Sequence, residues 1–225
     1  MTLHIGLLVF PKVQQLDLTG PYDVFASLPG VTVHLVWKNL DPLLSSTGLS
    51  LIPTQTYESC PDLDVICVPG GVGIDALLED AESLAFIQHQ AKNAQYVTSV
   101  CTGALVLGAA GLLEGKRATT HWASHGLLEK FGAIPVHERV VRDGNLMTGG
   151  GVTAGIDFAL TLISELFDAD TAQAVQLQIE YAPAQPFDSG RPDTAPAHIL
   201  ALAKQRAAAG LEARRQIVER VAANR

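Results

Sequence analysis

The stretch YVTSVCTGALVLGAAGLL, residues 96–113, decides the fold. Its first five residues read as a strand covered on both faces, and the twelve that follow carry the small and apolar pattern of a buried helix. Cys101 stands at the junction. A structural cysteine belongs inside an apolar run. A helix N-terminus instead offers unpaired backbone N–H groups and the positive end of the helix dipole, both of which favour a thiolate. The turn SVCTG therefore has the form of a nucleophile elbow, which lifts one reactive atom above a sheet, and Gly103 permits close packing beside it. Placement alone leaves an equal claim for a small buried residue filling a strand end.

Outward from the elbow, DVICVPGG (64–71) and LHIGLLVF (3–10) are further continuous apolar runs, and VTVHLVWK (31–38) reads as another strand. Helical patterning fills the gaps. It runs through GPYDVFASL with Thr19 as cap and Gly20 and Pro21 opening the first turn, then through DAESLAFIQHQAKNA and WASHGLLEKFG, the last closed by Gly132. LLSSTGLSLIPTQTYES reads as short extended pieces, and RVVRDGNLMTGG as a hairpin around Asp143 and Gly144. AGIDFALTLISELF and DTAQAVQLQIEYA are helical, residues 183–196 form a Pro-rich, surface-hugging loop, and an Ala-rich helix begins near His198. Strands alternating with helices predict an α/β fold with a mostly parallel sheet and helices on both faces. Ligand sites in such sheets lie beyond the carboxyl ends of the strands. Asp17 after the first strand, the Gly pair after the third and Cys101 after the fourth all fall at that edge.

The bulk properties narrow the function classes. The net charge is −8, and Lys and Arg cluster nowhere in the body of the chain, which argues against nucleic acid and anionic membrane surfaces as partners. The basic end, KQRAAAGLEARRQIVERVAANR, has Glu residues interspersed and reads as a solvated helix face. MTLHIGLLVF lacks a basic leader and its apolar run is only strand-long, and no run approaches the ~20 residues of a membrane helix. Cys60, Cys67 and Cys101 form an odd set without metal-ligand spacing, as in a reduced cytoplasm.

Among the candidate chemical groups, Cys67 lies mid-strand and reads as core, and Cys60 as a bystander in a loop. Gly70 and Gly71 read either as a turn needing positive φ or as a backbone that points an N–H inward, making an anion hole with the Thr102 N–H. Asp17 lies between leucines, where partial burial would make a carboxyl hold its proton; a turn or capping role is the alternative. His121 could act as base for the thiol or cap the following helix. His125 reads as exposed. His34 and His137 read as strand residues without suitable partners. No pair of histidines has zinc-site spacing, so neither a metal nor another cofactor is indicated.

DVICVPGG, VTSVCTGALVLGAAGLLEGKRATTHW and LDLTGPYDVF together resemble the ThiJ/PfpI superfamily of glutamine-amidotransferase-like cysteine proteins, from about Leu3 to Tyr181. VQQLDLTGP, GAIPVHERVVRDGN, TAGIDFALTL and SGRPDTAPA extend the similarity to its isocyanide hydratase branch. The resemblance implies a flavodoxin-like sandwich, with a catalytic domain over 1–182 and residues 183–225 packed on it or on a dimer partner. It implies a cytoplasmic homodimer, no cofactor, and a small neutral isocyanide as substrate. By position it makes Cys101 the nucleophile and Asp17 its acidic partner, where the wider superfamily often has Glu. Gly71 and Thr102 line the anion pocket, and His121 matches a proposed catalytic histidine. The expected resting state is a protonated Asp17 hydrogen-bonded to a readily oxidised Cys101 thiolate. An amidase-like transcription regulator is a rival set aside because the 44 residues after Tyr181 hold only a loop and one helical stretch. A redox sensor without turnover, or a glyoxalase-like or repair hydrolase, remains open.

Overall fold

Continuous apolar strands that must be covered on both faces organise the protein. The computed structural model describes residues 2–224. In chain order the elements are β1 (Leu3–Leu8), α1 (Gln15–Ala26), β2 (Val31–Trp37), β3 (Leu43–Leu44), β4 (Ser50–Leu51), β5 (Gln55–Thr56), β6 (Val65–Val68), α2 (Ile74–Leu77) and α3 (Ala81–Ala91). Then come β7 (Tyr96–Val100), α4 (Gly103–Ala109), β8 (Arg117–Ala118), a 3-10 helix (Trp122–Phe131), β9 (Ile134–Pro135), β10 (Val140–Asp143) and β11 (Leu146–Gly149). Helices α5 (Ala154–Leu166), α6 (Ala169–Gln178) and α7 (Ala197–Ala223) complete the chain.

The main sheet has the order β10-β11-β7-β6-β1-β2-β5. Its pairs are parallel except β10–β11, an antiparallel hairpin whose turn places Gly144 at φ 64. β6 is buried along its whole length, as its apolar run requires. From β1 the chain moves one way to β2, and from β6 the other way to β7. Right-handed crossovers then put α1 and α3 on opposite faces. α1, α5 and α6 pack together on one side; α4 meets α2, α3, the 3-10 helix and α7 on the other. Phe25 of α1 and Phe158 of α5 meet edge to face at 6.1 Å, fully buried. This is the flavodoxin-like layering the sequence implied. The reversal of strand order at β1 and β6 makes a crevice beyond their carboxyl ends.

Several local expectations need correction. The first helix begins at Gln15, so Thr19 and Pro21 lie inside it rather than at its cap. Its start is fixed from afar: Ser46 donates to Gln14 Oε1 at 2.8 Å, Ser45 to Gln15 Oε1 at 2.6 Å, and Gln14 N–H to the Gly70 carbonyl at 2.8 Å. The segment before Gly132 is a 3-10 helix, and its buried residues Ser124, His125, Leu127, Leu128 and Phe131 follow a three-residue period. Gly132 does close it, at φ 72. His125 is buried, its ring stacked on His137 at 3.7 Å and its Nε2 3.0 Å from the Val136 carbonyl. Residues 183–194 are exposed throughout, with Phe187 78% accessible.

Candidate active site

Cys101 is the first residue after β7, with φ 55, a left-handed conformation that strains any non-glycine residue by about 1–3 kcal/mol. Its surroundings hold it there. The Cys101 N–H donates to the Gly149 carbonyl at 3.0 Å, and its carbonyl accepts from Thr120 Oγ1 at 2.7 Å. At Gly103, one turn into the elbow, a Cβ would collide with the Val68 carbonyl at the end of β6. A glycine there lets α4 start against the sheet, and Cys101 is left 5% exposed at the crevice. This is the elbow anticipated from SVCTG.

Asp17 sits in the first turn of α1, on the stripe Asp17, Leu18, Pro21, Val24 and Phe25 that faces the core, while Leu16 beside it is exposed. The carboxyl is fully buried. Oδ2 accepts the Gly70 N–H at 2.9 Å, and Oδ1 has no hydrogen-bond partner. Burial pushes Asp17 up to about 7, against smaller opposing pulls from the Gly70 N–H and the Cys101 side chain. Burial, and then the adjacent carboxylate, also raise Cys101, outweighing the N–H and hydroxyl of Thr102. Both groups are thus held toward their protonated forms, and ionising the two together is disfavoured by like charge, so the pair shares a proton. Cys67 and Cys60 are pushed up to about 12 and about 11, chiefly by burial, which leaves both as bystanders.

The glycine pair and Thr102 form the wall opposite Asp17. Gly71 has φ 130, open only to glycine, and its N–H donates to Thr102 Oγ1 at 3.1 Å. With the Gly70 N–H given to Asp17, neither glycine presents the free donor that the sequence suggested. The Thr102 N–H lies against the sulfur, where it is placed to meet a negative charge. Thr102→Val removes the acceptor of the Gly71 N–H and should lower stability by on the order of 1 kcal/mol, seen as a reduced urea midpoint, with Thr102→Ser close to wild type.

His121 does not join the pair. It caps the 3-10 helix, Nδ1 accepting the Ala123 N–H at 3.3 Å, and burial followed by the Arg214 charge keeps it neutral by lowering its pKa. With Nδ1 engaged, the ring has no lone pair to offer the thiol. His121→Asn, which retains a capping oxygen, should turn over without the roughly 10²–10⁴-fold loss that follows removal of a general base, measured by initial rates.

Two contributors escaped the sequence. Thr120 anchors the strained elbow, and its neighbours in ATTHW were the only clue. Arg214, from α7, donates to the Gly71 carbonyl at 3.3 Å and has no local signal at all. A cleft of about 480 Å³ between Phe10, Trp37 and Asp80 lies against the outer side of the Val72–Gly73 loop and contains neither Cys101 nor Asp17. Among the described residues no group of three or more His, Cys, Asp and Glu side chains is placed to hold a metal ion, and no helix is long and apolar enough to cross a membrane.

An elbow cysteine beside a buried carboxyl, at the switch point of a mostly parallel sheet, defines a cysteine-centred flavodoxin-like protein. The chain belongs to the DJ-1/PfpI family, which matches residues 4–165. It is 70% identical over 223 residues to the isonitrile hydratase of Pseudomonas putida, covering 99% of this chain and 98% of that protein. A THiJ/PfpI family protein of known structure from Pseudomonas syringae is 45% identical, with a TM-score of 0.94 over 97% of this chain and 91% of that one. A helix-turn-helix-type transcriptional regulator, GbdR of Pseudomonas aeruginosa, is 32% identical over 61% of this chain and 38% of its own length.

Proposed function

We propose that this protein is an isocyanide hydratase, converting R–N≡C and water into an N-substituted formamide. The observation that carries the reading is the Cys101–Asp17 pair, with an unpartnered carboxyl oxygen in a buried crevice, Oδ1 of Asp17. The full-length similarity to an isonitrile hydratase supports the same substrate class.

An isocyanide is a neutral rod whose terminal carbon accepts a nucleophile and then needs a proton. The Asp17 carboxylate takes the thiol proton as the Cys101 sulfur forms a bond to that carbon, and returns it to the same carbon, giving the thioimidate R–N=CH–S–Cys. Water then adds to the thioimidate carbon, Asp17 moving a proton from the water to nitrogen. Collapse of the hydroxyl adduct breaks the C–S bond and sends the hydroxyl proton back to sulfur. The sum is R–NC plus H₂O to R–NH–CHO, and every atom and proton is accounted for without an external cofactor. A carboxyl titrating at about 7 is matched to giving and taking protons at neutral pH.

Purified protein supplied with an aryl isocyanide should release the aryl formamide with multiple turnovers. A folded, reduced sample that produces none would overturn the reading in favour of a sensor. The net charge of −8 and the free state of Cys60, Cys67 and Cys101 support work in a reducing cytoplasm. A homodimer is part of the same proposal: Ile199 and Leu202 of α7 are 39% and 43% exposed while Leu211 packs on the core.

A further inference from the structure

Helix α7 lies beyond the residues that match the family, yet one of its side chains reaches the cysteine pocket. The Arg214 side chain is only 13% exposed. Its Nε donates to Asp75 Oδ1 at 2.6 Å, Nη2 to the Gly71 carbonyl at 3.3 Å, and Nη1 to Ser124 Oγ at 3.5 Å. These three partners lie on two segments, the Gly71–Asp75 stretch and the 3-10 helix, and a planar five-donor fork can satisfy all of them where a lysine could not.

Each partner leads to the nucleophile. Gly71 gives its N–H to Thr102, the residue after Cys101. Asp75 lies in α2, directly after the Gly71 loop. Ser124 belongs to the helix capped by His121, and Thr120, next to that cap, holds the Cys101 carbonyl. Docking of α7 does not account for this arrangement. The apolar contacts of the helix are made by Val218, fully buried, with Leu211, Ile217 and Val221 packed beside it, and its other ion pairs to the body of the protein, Arg220 with Glu79 at 2.7 Å and Glu219 with Lys130 at 3.4 Å, are about half exposed. Exposed pairs of that kind contribute little. The Gly71 loop is held elsewhere by Gln14 N–H to the Gly70 carbonyl, Gly73 N–H to the Lys12 carbonyl, and the Asp17 and Thr102 side chains of the site itself, so Arg214 is its one tie to the C-terminal helix among the described residues.

We propose that Arg214 is a positioning residue, through which the C-terminal helix keeps the Gly71 loop and the His121–Ser124 segment at the spacing the Cys101 nucleophile needs. Its kinetic consequence rests on the hydratase reading; its effect on thiol geometry does not. The test compares Arg214→Met, Arg214→Lys and Arg220→Met by isocyanide kinetics, by the pH profile of Cys101 alkylation with iodoacetamide, and by melting temperature. Arg214→Met should lower kcat by about 10- to 100-fold with a far smaller change in KM, the scale expected when a site is misplaced by an ångström or less. It should also shift the alkylation profile, Arg214→Lys should recover part of both, and Arg220→Met should alter neither.

An Arg214→Met enzyme with kcat within about twofold of wild type and an unchanged alkylation profile would overturn the proposal. So would equal losses in Arg214→Met and Arg220→Met that follow melting temperature, because they would reduce Arg214 to a docking contact. Should the wild-type protein hydrate no isocyanide, the functional reading fails by itself, and the alkylation profiles then decide whether Arg214 positions the thiol.

Discussion

Replacing Cys101 by alanine should remove formamide production entirely, a loss of at least about 10⁴-fold in kcat, because the thioimidate has no other atom on which to form. The size follows from the isolation of the sulfur. Cys67 is fully buried mid-strand, and the half-buried Cys60 sits in the loop before β6, so neither can substitute. Cys101→Ser should fail almost as completely, since a serine hydroxyl holds its proton far more tightly than a thiol, and the carboxyl beside it is matched to a weaker task. The fold should survive both changes. The elbow is held at the N–H and carbonyl of Cys101, by the Gly149 carbonyl and the Thr120 hydroxyl, and not through the sulfur. Initial rates with an aryl isocyanide, together with intact-protein mass spectrometry of quenched reactions, would check this: wild type should carry the mass of one isocyanide, and the alanine variant none. Turnover by Cys101→Ala within about a hundredfold of wild type would move the covalent step elsewhere.

How much of this was legible follows from the range of the interactions involved. The elbow and the sheet were readable because a strand buried on both faces must be apolar throughout, and β6 and β7 announce themselves that way. Asp17 was readable as buried because it interrupts a leucine-rich stretch. Its helical setting was misread, because Pro21 imitates a first-turn proline and the true start at Gln15 is held by Ser45 and Ser46, some thirty residues away. No local pattern encodes an anchor supplied by another hairpin.

The membership of the site was therefore more legible than the balance of forces on the sulfur. An address at a helix N-terminus argued for a thiolate, but that argument weighs the dipole of a short helix against water. In the folded protein Cys101 is 5% exposed and faces a carboxyl, so burial and like charge raise its pKa against the pull of the Thr102 N–H. The role of Gly71 changed for a similar reason: its N–H was free in the sequence and is bound to Thr102 in the structure. His121 kept only the capping half of its two readings. Arg214 stood in a stretch whose mixed charges read as solvated face, and only its three partners, 90 to 143 residues distant in sequence, distinguish it from Arg215 and Arg220.

Asp17→Asn should separate the catalytic use of the carboxyl from its energetic cost. A carboxyl at about 7 in the native state and 3.8 when unfolded binds its proton more tightly in the fold. Its stabilising contribution is complete below the unfolded value and is lost as pH rises through about 7. Above that, wild type carries a buried carboxylate whose cost is roughly 4 kcal/mol, taking about 1.4 kcal/mol for each unit of the displacement. Asparagine keeps an oxygen for the Gly70 N–H and never ionises. The variant should therefore melt close to wild type at acid pH and about 10 °C higher above neutrality, at the 2–4 °C per kcal/mol expected for a chain of this size. Activity should move the opposite way. Wild-type kcat/KM should rise with pH through about 7, as Asp17 ionises and becomes able to take the thiol proton. In Asp17→Asn that limb should vanish and the rate fall about 10²–10⁴-fold. Calorimetric melts and pH–rate profiles on the same two proteins check both halves. An asparagine variant that is no more stable than wild type in mild alkali would show that the carboxyl is solvated after all, and an unaltered pH–rate limb would assign the working proton to another group.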